Sequence, residues 1–359
     1  MTQSRAASRA GMTAAILLIL IALTAVNAAA VAELLRQRIQ LCLETLIPSL
    51  FGCMVLANLL TACGAAAWLG SRMRPLAQIM HIPPEVLTIF VISQIAGYPV
   101  GTLLLRQSAD CGHIPQDIAA RMSYVCFGGG PAFLVGLAGA QMLGNAAAGW
   151  CMMATCIAAN LILLAIFGHG LPQTAEFSPA TVRSSPEMLT EAVRDAMRSL
   201  AAICGTVLMF GVMMQLCEAI GLTAGLCVLA GRFGIAPQTV RALLAAVSDV
   251  TQLPYLMHCG LSYRILFSLT GGLLSFGGIC VHLQCTALGG GRVRMGKMLV
   301  IRLFAALLTA WMLYPLTGMF ALPEQAAVFA VHRAVPAAGS PIPALLIFCT
   351  GFPILLKKD

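Results

Sequence analysis

Charged residues make up only 9% of this 359-residue chain, while 59% of its residues are hydrophobic. An ordinary soluble domain carries about a quarter charged residues, so the shortage argues against a soluble fold. Other signatures are missing as well. There is no Cys-x-x-Cys pair among the 14 cysteines, and zinc-ligand spacing is absent. Most cysteines, such as Cys53, Cys63, Cys151, Cys156 and Cys204, sit among Ala, Leu and Met, where cysteine behaves as a small hydrophobe. Cys280, His282 and Cys285 cluster too loosely for a metal site, so no metal and no cofactor are expected. Gly128-Gly129-Gly130-Pro131 lacks the Lys-Ser/Thr ending of a phosphate-binding loop. No Ser-His-Asp, paired-carboxylate or His-x-x-x-His arrangement appears, which leaves an enzyme with little support. The strand alternation of an outer-membrane barrel is absent.

What the chain does contain is a series of apolar runs, several reaching the roughly 20 residues that cross a bilayer. The reading is all-α: a polytopic helical membrane protein with the lipid bilayer as its surroundings. The net charge of +8 falls mostly in short loops between the runs, where Lys and Arg set orientation. No basic patch carries interleaved aromatics, so nucleic acid is not an expected partner. Arg5 and Arg9 precede an apolar run from Gly11 to Val31. That run exceeds the 7–15 residue core of a secretory signal, which favours an uncleaved first helix with its amino end in the cytoplasm.

Two polar interruptions stand out. Ser93-Gln94-Ile95-Ala96-Gly97-Tyr98-Pro99 lies in the first half, and Ser248-Asp249-Val250-Thr251-Gln252-Leu253-Pro254 follows 155 positions later. Each ends in a proline, which removes a backbone donor and breaks a helix. Backbone freed at membrane depth is tolerated only where protein buries it or a wet cavity faces it. Broken helices in matching places point to a transporter's binding site. Further correspondences support an internal duplication. Gly52-Cys53-Met54-Val55 matches Gly205-Thr206-Val207-Leu208, Ile82-Pro83 matches Ala236-Pro237, and Phe127-Gly128-Gly129 matches Phe276-Gly277-Gly278, all at offsets of 149 to 154. The expected organisation is a first helix and amphipathic connector over 1–45, a first repeat over 46–168, a polar linker over 169–187, a second repeat over 188–321 and an interfacial or re-entrant segment over 322–359. Each repeat contains broken or re-entrant helices. Residues 93–99 and 248–254 are expected to be non-helical and to approach one another.

Asp249 is the sharpest single residue, being the one acid well inside an apolar run. A carboxylate at the bilayer centre costs at least about 2.5–3.5 kcal/mol and usually marks an ion, proton or substrate site. Capping of a half-helix amino end competes with that reading and can coincide with it. Ser93, Gln94, Ser248, Thr251 and Gln252 offer groups that can read a polar solute or glue helices together. Gly97, Gly129, Gly130, Gly277 and Gly278 permit unusual backbone angles and close approach. Half-helix amino ends beside them would present N–H groups to an anion. Tyr98, Ser275, His282 and Gln284 complete the candidate set, with packing or capping as the plainer role for His282. Arg302 reads as a side chain that snorkels, and Arg292, Arg294 and Lys297 as topology-setting charges.

Four stretches resemble the sporulation integral membrane protein YlbJ family, which belongs with the nucleoside-recognition "gate" domain proteins. They are Gln94-Ile95-Ala96-Gly97-Tyr98-Pro99-Val100-Gly101, Gly129-Gly130-Pro131-Ala132-Phe133-Leu134-Val135-Gly136, Ser248-Asp249-Val250-Thr251-Gln252, and Ser275 through Gln284. The chain departs from the family pattern at Phe127-Gly128-Gly129-Gly130-Pro131, at Leu103–Leu105 and at Asp249, where the family usually has Asn-Asn-Ser-Gly-Pro, a lysine and Glu. The resemblance implies an endospore-forming bacterium and a bacterial cytoplasmic or forespore membrane. It implies passage of a small polar or anionic solute such as dipicolinate, or a nucleoside-like solute. Asp249, read as an ion or proton site, adds H+ or Na+ as an expected coupling ion. A non-transporting scaffold for spore envelope or cortex assembly is the rival reading.

Overall fold

The computed structural model describes residues 2–63, 65–169, 171 and 186–320. Every regular element among them is helical. In chain order these are α1 (Thr2–Val26), α2 (Ala28–Leu41), α3 (Ile47–Ala62), α4 (Ala65–Met80), α5 (Pro84–Ala96), α6 (Val100–Asp110) and α7 (Gln116–Met122). A π-helical stretch, Ala132–Met142, leads to α8 (Ala146–Gly168). Then follow α9 (Pro186–Ala219), α10 (Leu222–Gly231), α11 (Pro237–Ser248), a 3-10 stretch Val250–His258, α12 (Tyr263–Phe276), α13 (Gly278–Leu288) and α14 (Met295–Leu316). Most of the 169–187 linker lies outside the described residues, as does the whole segment 322–359.

Four stretches are long and apolar enough to cross a membrane: Ala146–Gly168, Pro186–Ala219, Tyr263–Leu288 and Met295–Phe320. Two bent pairs raise the number to six if each counts as one span. One bends by 87° between Gly11–Val26 and Ala28–Leu46, the other by 104° between Trp68–Met80 and Pro84–Ala96. The second bend has a local cause. His81 takes a left-handed φ of 55°, and Pro84 starts α5 at its first position, where a missing N–H costs nothing.

The faces of α14 show what surrounds the bundle. Met298, Arg302, Ala305, Thr309 and Leu313 point inward at helical spacing. The opposite face exposes Val300, Leu303, Phe304, Leu307 and Trp311. A soluble amphipathic helix would turn polar groups outward. Here the outside is as apolar as the inside, compatible with contact to hydrocarbon. The candidate Tyr263–Leu288 is the most interior: 83% of its most apolar 18-residue window is buried, against 22% for that of Met295–Phe320. It is broken in the middle, between α12 and α13, and this broken element is the centre of the fold.

Some boundaries differ from the sequence reading. The charged residues from Glu187 to Arg198 and the apolar residues that follow form one continuous helix, α9, of 34 residues. The apolar run from Leu46 to Leu69, long enough by itself for one span, is divided between α3 and α4. The first interruption is shorter than expected: Ser93 through Ala96 remain helical, so the break is confined to Gly97–Pro99. The second is not irregular throughout. Only Asp249 is extended, and 3-10 turns carry the chain from Val250 to His258. Asp249 makes that possible by capping the new helix start.

Candidate functional site: three converging helix breaks

The first break is built on glycine. Gly97 has φ 82° and ψ 168°, a region essentially reserved for glycine. A Cβ there would stand 3.4 Å from the Gly129 carbonyl oxygen, and one on Gly130 would stand 3.2 Å from the Gly97 backbone. The Tyr98 N–H donates to the Gly128 carbonyl over 2.6 Å, and the Tyr98–Pro99 peptide is cis. The break thus lies directly against the Gly128–Gly130 stretch, backbone on backbone. The Tyr98 ring packs on Phe127 and Phe133, with centroids 4.8 and 5.8 Å away.

The second break meets the third. Gly277, between α12 and α13, and Gly278, the first residue of α13, both have positive φ, 87° and 77°. A Cβ on Gly278 would fall 3.0 Å from the Val250 nitrogen and 3.4 Å from Asp249 Cα and the Ser248 carbonyl oxygen. A Cβ on its neighbour Gly277 would fall 2.4 Å from Phe127 Cζ and 3.5 Å from Tyr98 Cε1. Two adjacent glycines therefore touch both of the other breaks, and the two sequence halves join there.

A chain of buried polar groups backs this junction. Arg302 is fully buried. Its Nε donates to the Ser275 carbonyl at 3.1 Å and Nη1 to Asn160 Oδ1 at 2.8 Å. Nη2 donates to the Ser275 carbonyl and, at 3.2 Å, to Ser275 Oγ, while Nη1 also reaches the Tyr124 carbonyl at 3.5 Å. The guanidinium lies over the Phe127 ring, 4.4 Å from its centroid. Asn160 passes the chain on, donating to the Phe127 carbonyl at 2.7 Å and to Gln94 Oε1 at 3.1 Å. Gln94 Nε2 donates to Ser93 Oγ at 3.1 Å. All five guanidinium donors thus reach neutral oxygens, and no carboxylate pairs with Arg302 among the described residues. Planar, multidentate donation of this kind suits arginine and not lysine.

Asp249 is paired instead with Arg38 of α2. Its Oδ1 accepts the Thr251 N–H at 3.0 Å, capping the 3-10 stretch, and its Oδ2 accepts from Arg38 Nη1 at 3.3 Å. Both side chains are buried. The same Nη1 reaches Thr251 Oγ1 at 3.5 Å, which also accepts from Gln252 Nε2 at 3.1 Å. Gly211 of α9 makes room for the arginine: a Cβ there would sit 3.3 Å from Arg38 Cγ. Capping and charge pairing therefore coincide in one carboxylate.

Every candidate residue read from the sequence is buried except Ser248, which is half-buried and donates to Met214 Sδ at 3.2 Å. Ser93, Gln94, Gly97, Tyr98, Gly129, Gly130, Ser275 and Gly277 gather around Phe127 and Arg302. Asp249, Thr251 and Gln252 gather at Arg38, with Gly278 against the Asp249 backbone. Two residues sit elsewhere or serve packing. Gln284 donates to Thr206 Oγ1 of α9 at 2.7 Å, joining two helices. His282 lies 2.8 Å from the Phe276 carbonyl through Nε2, at the carboxyl end of α12, as a capping residue would. Its Nδ1 and the Tyr98 hydroxyl have no hydrogen-bond partner among the described residues. Arg302 does not snorkel. Arg38, Asn160 and Arg302 are the residues that sequence reasoning missed. One signal was available for Arg302: it stands about 10 Å along α14 from Met295 by helical rise, deep for a side chain meant to reach water. No family model, curated protein or solved structure matches the chain.

Proposed function

We propose that the chain is a membrane permease for a small polar or anionic solute, with its site at the junction of the three helix breaks. The observation that carries this reading is that Gly277 and Gly278 touch both Tyr98 and Asp249–Val250. Non-helical backbone inside an apolar bundle belongs where it lines a path or a site. The interior charges favour an anion. Arg38 and Asp249 cancel, and Arg302 adds an uncompensated positive charge one ring away from the junction. A coupling cation, proton or sodium, would compete with Arg38 for the Asp249 carboxylate. The pair is then the point where coupling acts, and α2 the element that responds.

Two internal repeats fit this reading. α5 and α11 each begin with proline and run 13 and 12 residues to a break, and each break packs against a glycine stretch of its own half. The similarity of these motifs to the YlbJ and gate-domain pattern supports the same reading, and with it a dipicolinate-like or nucleoside-like solute in a sporulating cell.

One observation favours the rival scaffold. The Arg302–Asn160–Gln94–Ser93 chain is saturated by its own partners, as a purely structural polar network would be. Uptake by proteoliposomes separates the two. Vesicles holding the purified chain should accumulate pyridine-2,6-dicarboxylate or uridine faster than empty vesicles. Equal rates for every solute, with protein shown to be folded and inserted, would leave the scaffold.

A further inference from the structure

Away from the junction, a second polar feature lies between α6, α7 and the basic loop that follows α13. It is a cavity of about 190 Å³ lined by Thr102, Arg106, Asp110, Ser123, Gly290 and Arg292. That is smaller than the roughly 300–1,000 Å³ pockets that enclose drug-sized ligands. Two guanidinium groups line it. Arg106 is held in place: it donates to the Leu288 carbonyl at 3.1 Å and pairs with Asp110 at 3.4 Å. A Cβ on Gly290 would stand 3.8 Å from the Arg106 guanidinium carbon, so the loop passes close over it. Arg292 is exposed and forms no ion pair among the described residues. With Asp110 counted, the lining carries one net positive charge. Thr102 also lines the cavity. It is 1% exposed, and its Oγ1 has no nitrogen or oxygen partner among the described residues. The hydroxyl is instead within hydrogen-bonding reach of the Cys285 thiol. Thr102 lies in the first turn of α6, and its N–H donates to the Pro99 carbonyl at 3.1 Å, next to the first break.

We infer that this cavity binds an oxyanion, a carboxylate or phosphate group held by Arg106 and Arg292. Two guanidinium groups match the planar or tetrahedral oxygens of such a group. The oxyanion can belong to a free solute or to a lipid headgroup at the membrane surface. This site stands apart from the junction, and its test reads binding, so it survives or fails independently of transport.

Full-length protein in phosphatidylcholine nanodiscs is titrated with inorganic phosphate by calorimetry, and again in nanodiscs containing phosphatidylglycerol. Saturable phosphate binding is expected, weakened about tenfold by Arg292→Gln, the loss of one charge-assisted contact. Arg292 has no partner to lose, so that variant keeps its fold. Arg106→Gln should act in the same direction. Asp110→Asn should tighten binding, because it removes the one negative charge of the lining; a merely structural role would not produce a gain. Phosphate binding suppressed by phosphatidylglycerol assigns the site to a headgroup, and binding indifferent to that lipid assigns it to a free anion. No saturable binding in either lipid, or binding that both arginine variants retain, overturns the inference.

Discussion

At the scale of single residues, the molecule depends on groups whose partners are far away in sequence. Arg302 is the clearest. Its five donors reach Ser275, Asn160 and Tyr124, and lysine cannot span that set. Arg302→Lys should lower stability by on the order of 3 kcal/mol, since buried acceptors lose charged donors. Thermal unfolding in detergent measures this. Gly277 is constrained in two ways, by φ 87° and by Phe127 Cζ, 2.4 Å from where a Cβ would sit. Gly277→Ala should cost about 1–3 kcal/mol, whereas Gly205→Ala, at a helical position with open space around it, should be neutral or mildly stabilising. The sequence displayed Asp249 and the glycines because a polar or flexible residue in an apolar run is conspicuous by itself. It could not display Arg38. Nothing near Arg38 distinguishes it from exposed Arg36 two positions earlier, and its partner lies 211 residues away.

At the scale of elements, helix identity was legible and helix ends were less so. Apolar composition marked α8, α9, α12 and α14, and prolines marked the starts of α5 and α11. The extent of the first break was not legible, since Ser93–Ala96 can be helical or not and only the Gly128–Gly130 stretch packed against Gly97 decides. Likewise the polar residues from Glu187 to Arg198 have the composition of a separate amphipathic helix, yet they continue into the apolar part of α9. A helix of 34 residues is about 51 Å long, well beyond the roughly 30 Å hydrocarbon core. Its amino-terminal third, with Glu187, Glu191 and Asp195, should therefore stand in water. Carbodiimide labelling of carboxylates in proteoliposomes should modify these three and leave Asp249 untouched. Labelling of Asp249 at a comparable rate would mean that its pairing with Arg38 opens readily to solvent.

At the scale of the whole molecule, the helical, apolar-surfaced character of the described residues was legible from composition and from the length of the apolar runs, because so little charge cannot cover a soluble surface. The convergence of the breaks was legible only in part: matched spacing indicated that two breaks belong together, but the meeting point at Gly277–Gly278 depends on packing between halves. What the arrangement is for rests on flux through it. The most direct measurement is the initial rate of pyridine-2,6-dicarboxylate uptake by proteoliposomes holding wild type, Asp249→Asn, or Asp249→Asn with Arg38→Gln. Removing one member of a buried pair costs about 3–5 kcal/mol, so the single variant should be less stable, while the uncharged double variant should recover folding. The account predicts wild-type uptake well above that of empty vesicles, and uptake at the empty-vesicle level for the folded double variant. Wild-type rates in that double variant across a range of pH and sodium, or wild-type uptake no faster than empty vesicles, would contradict it.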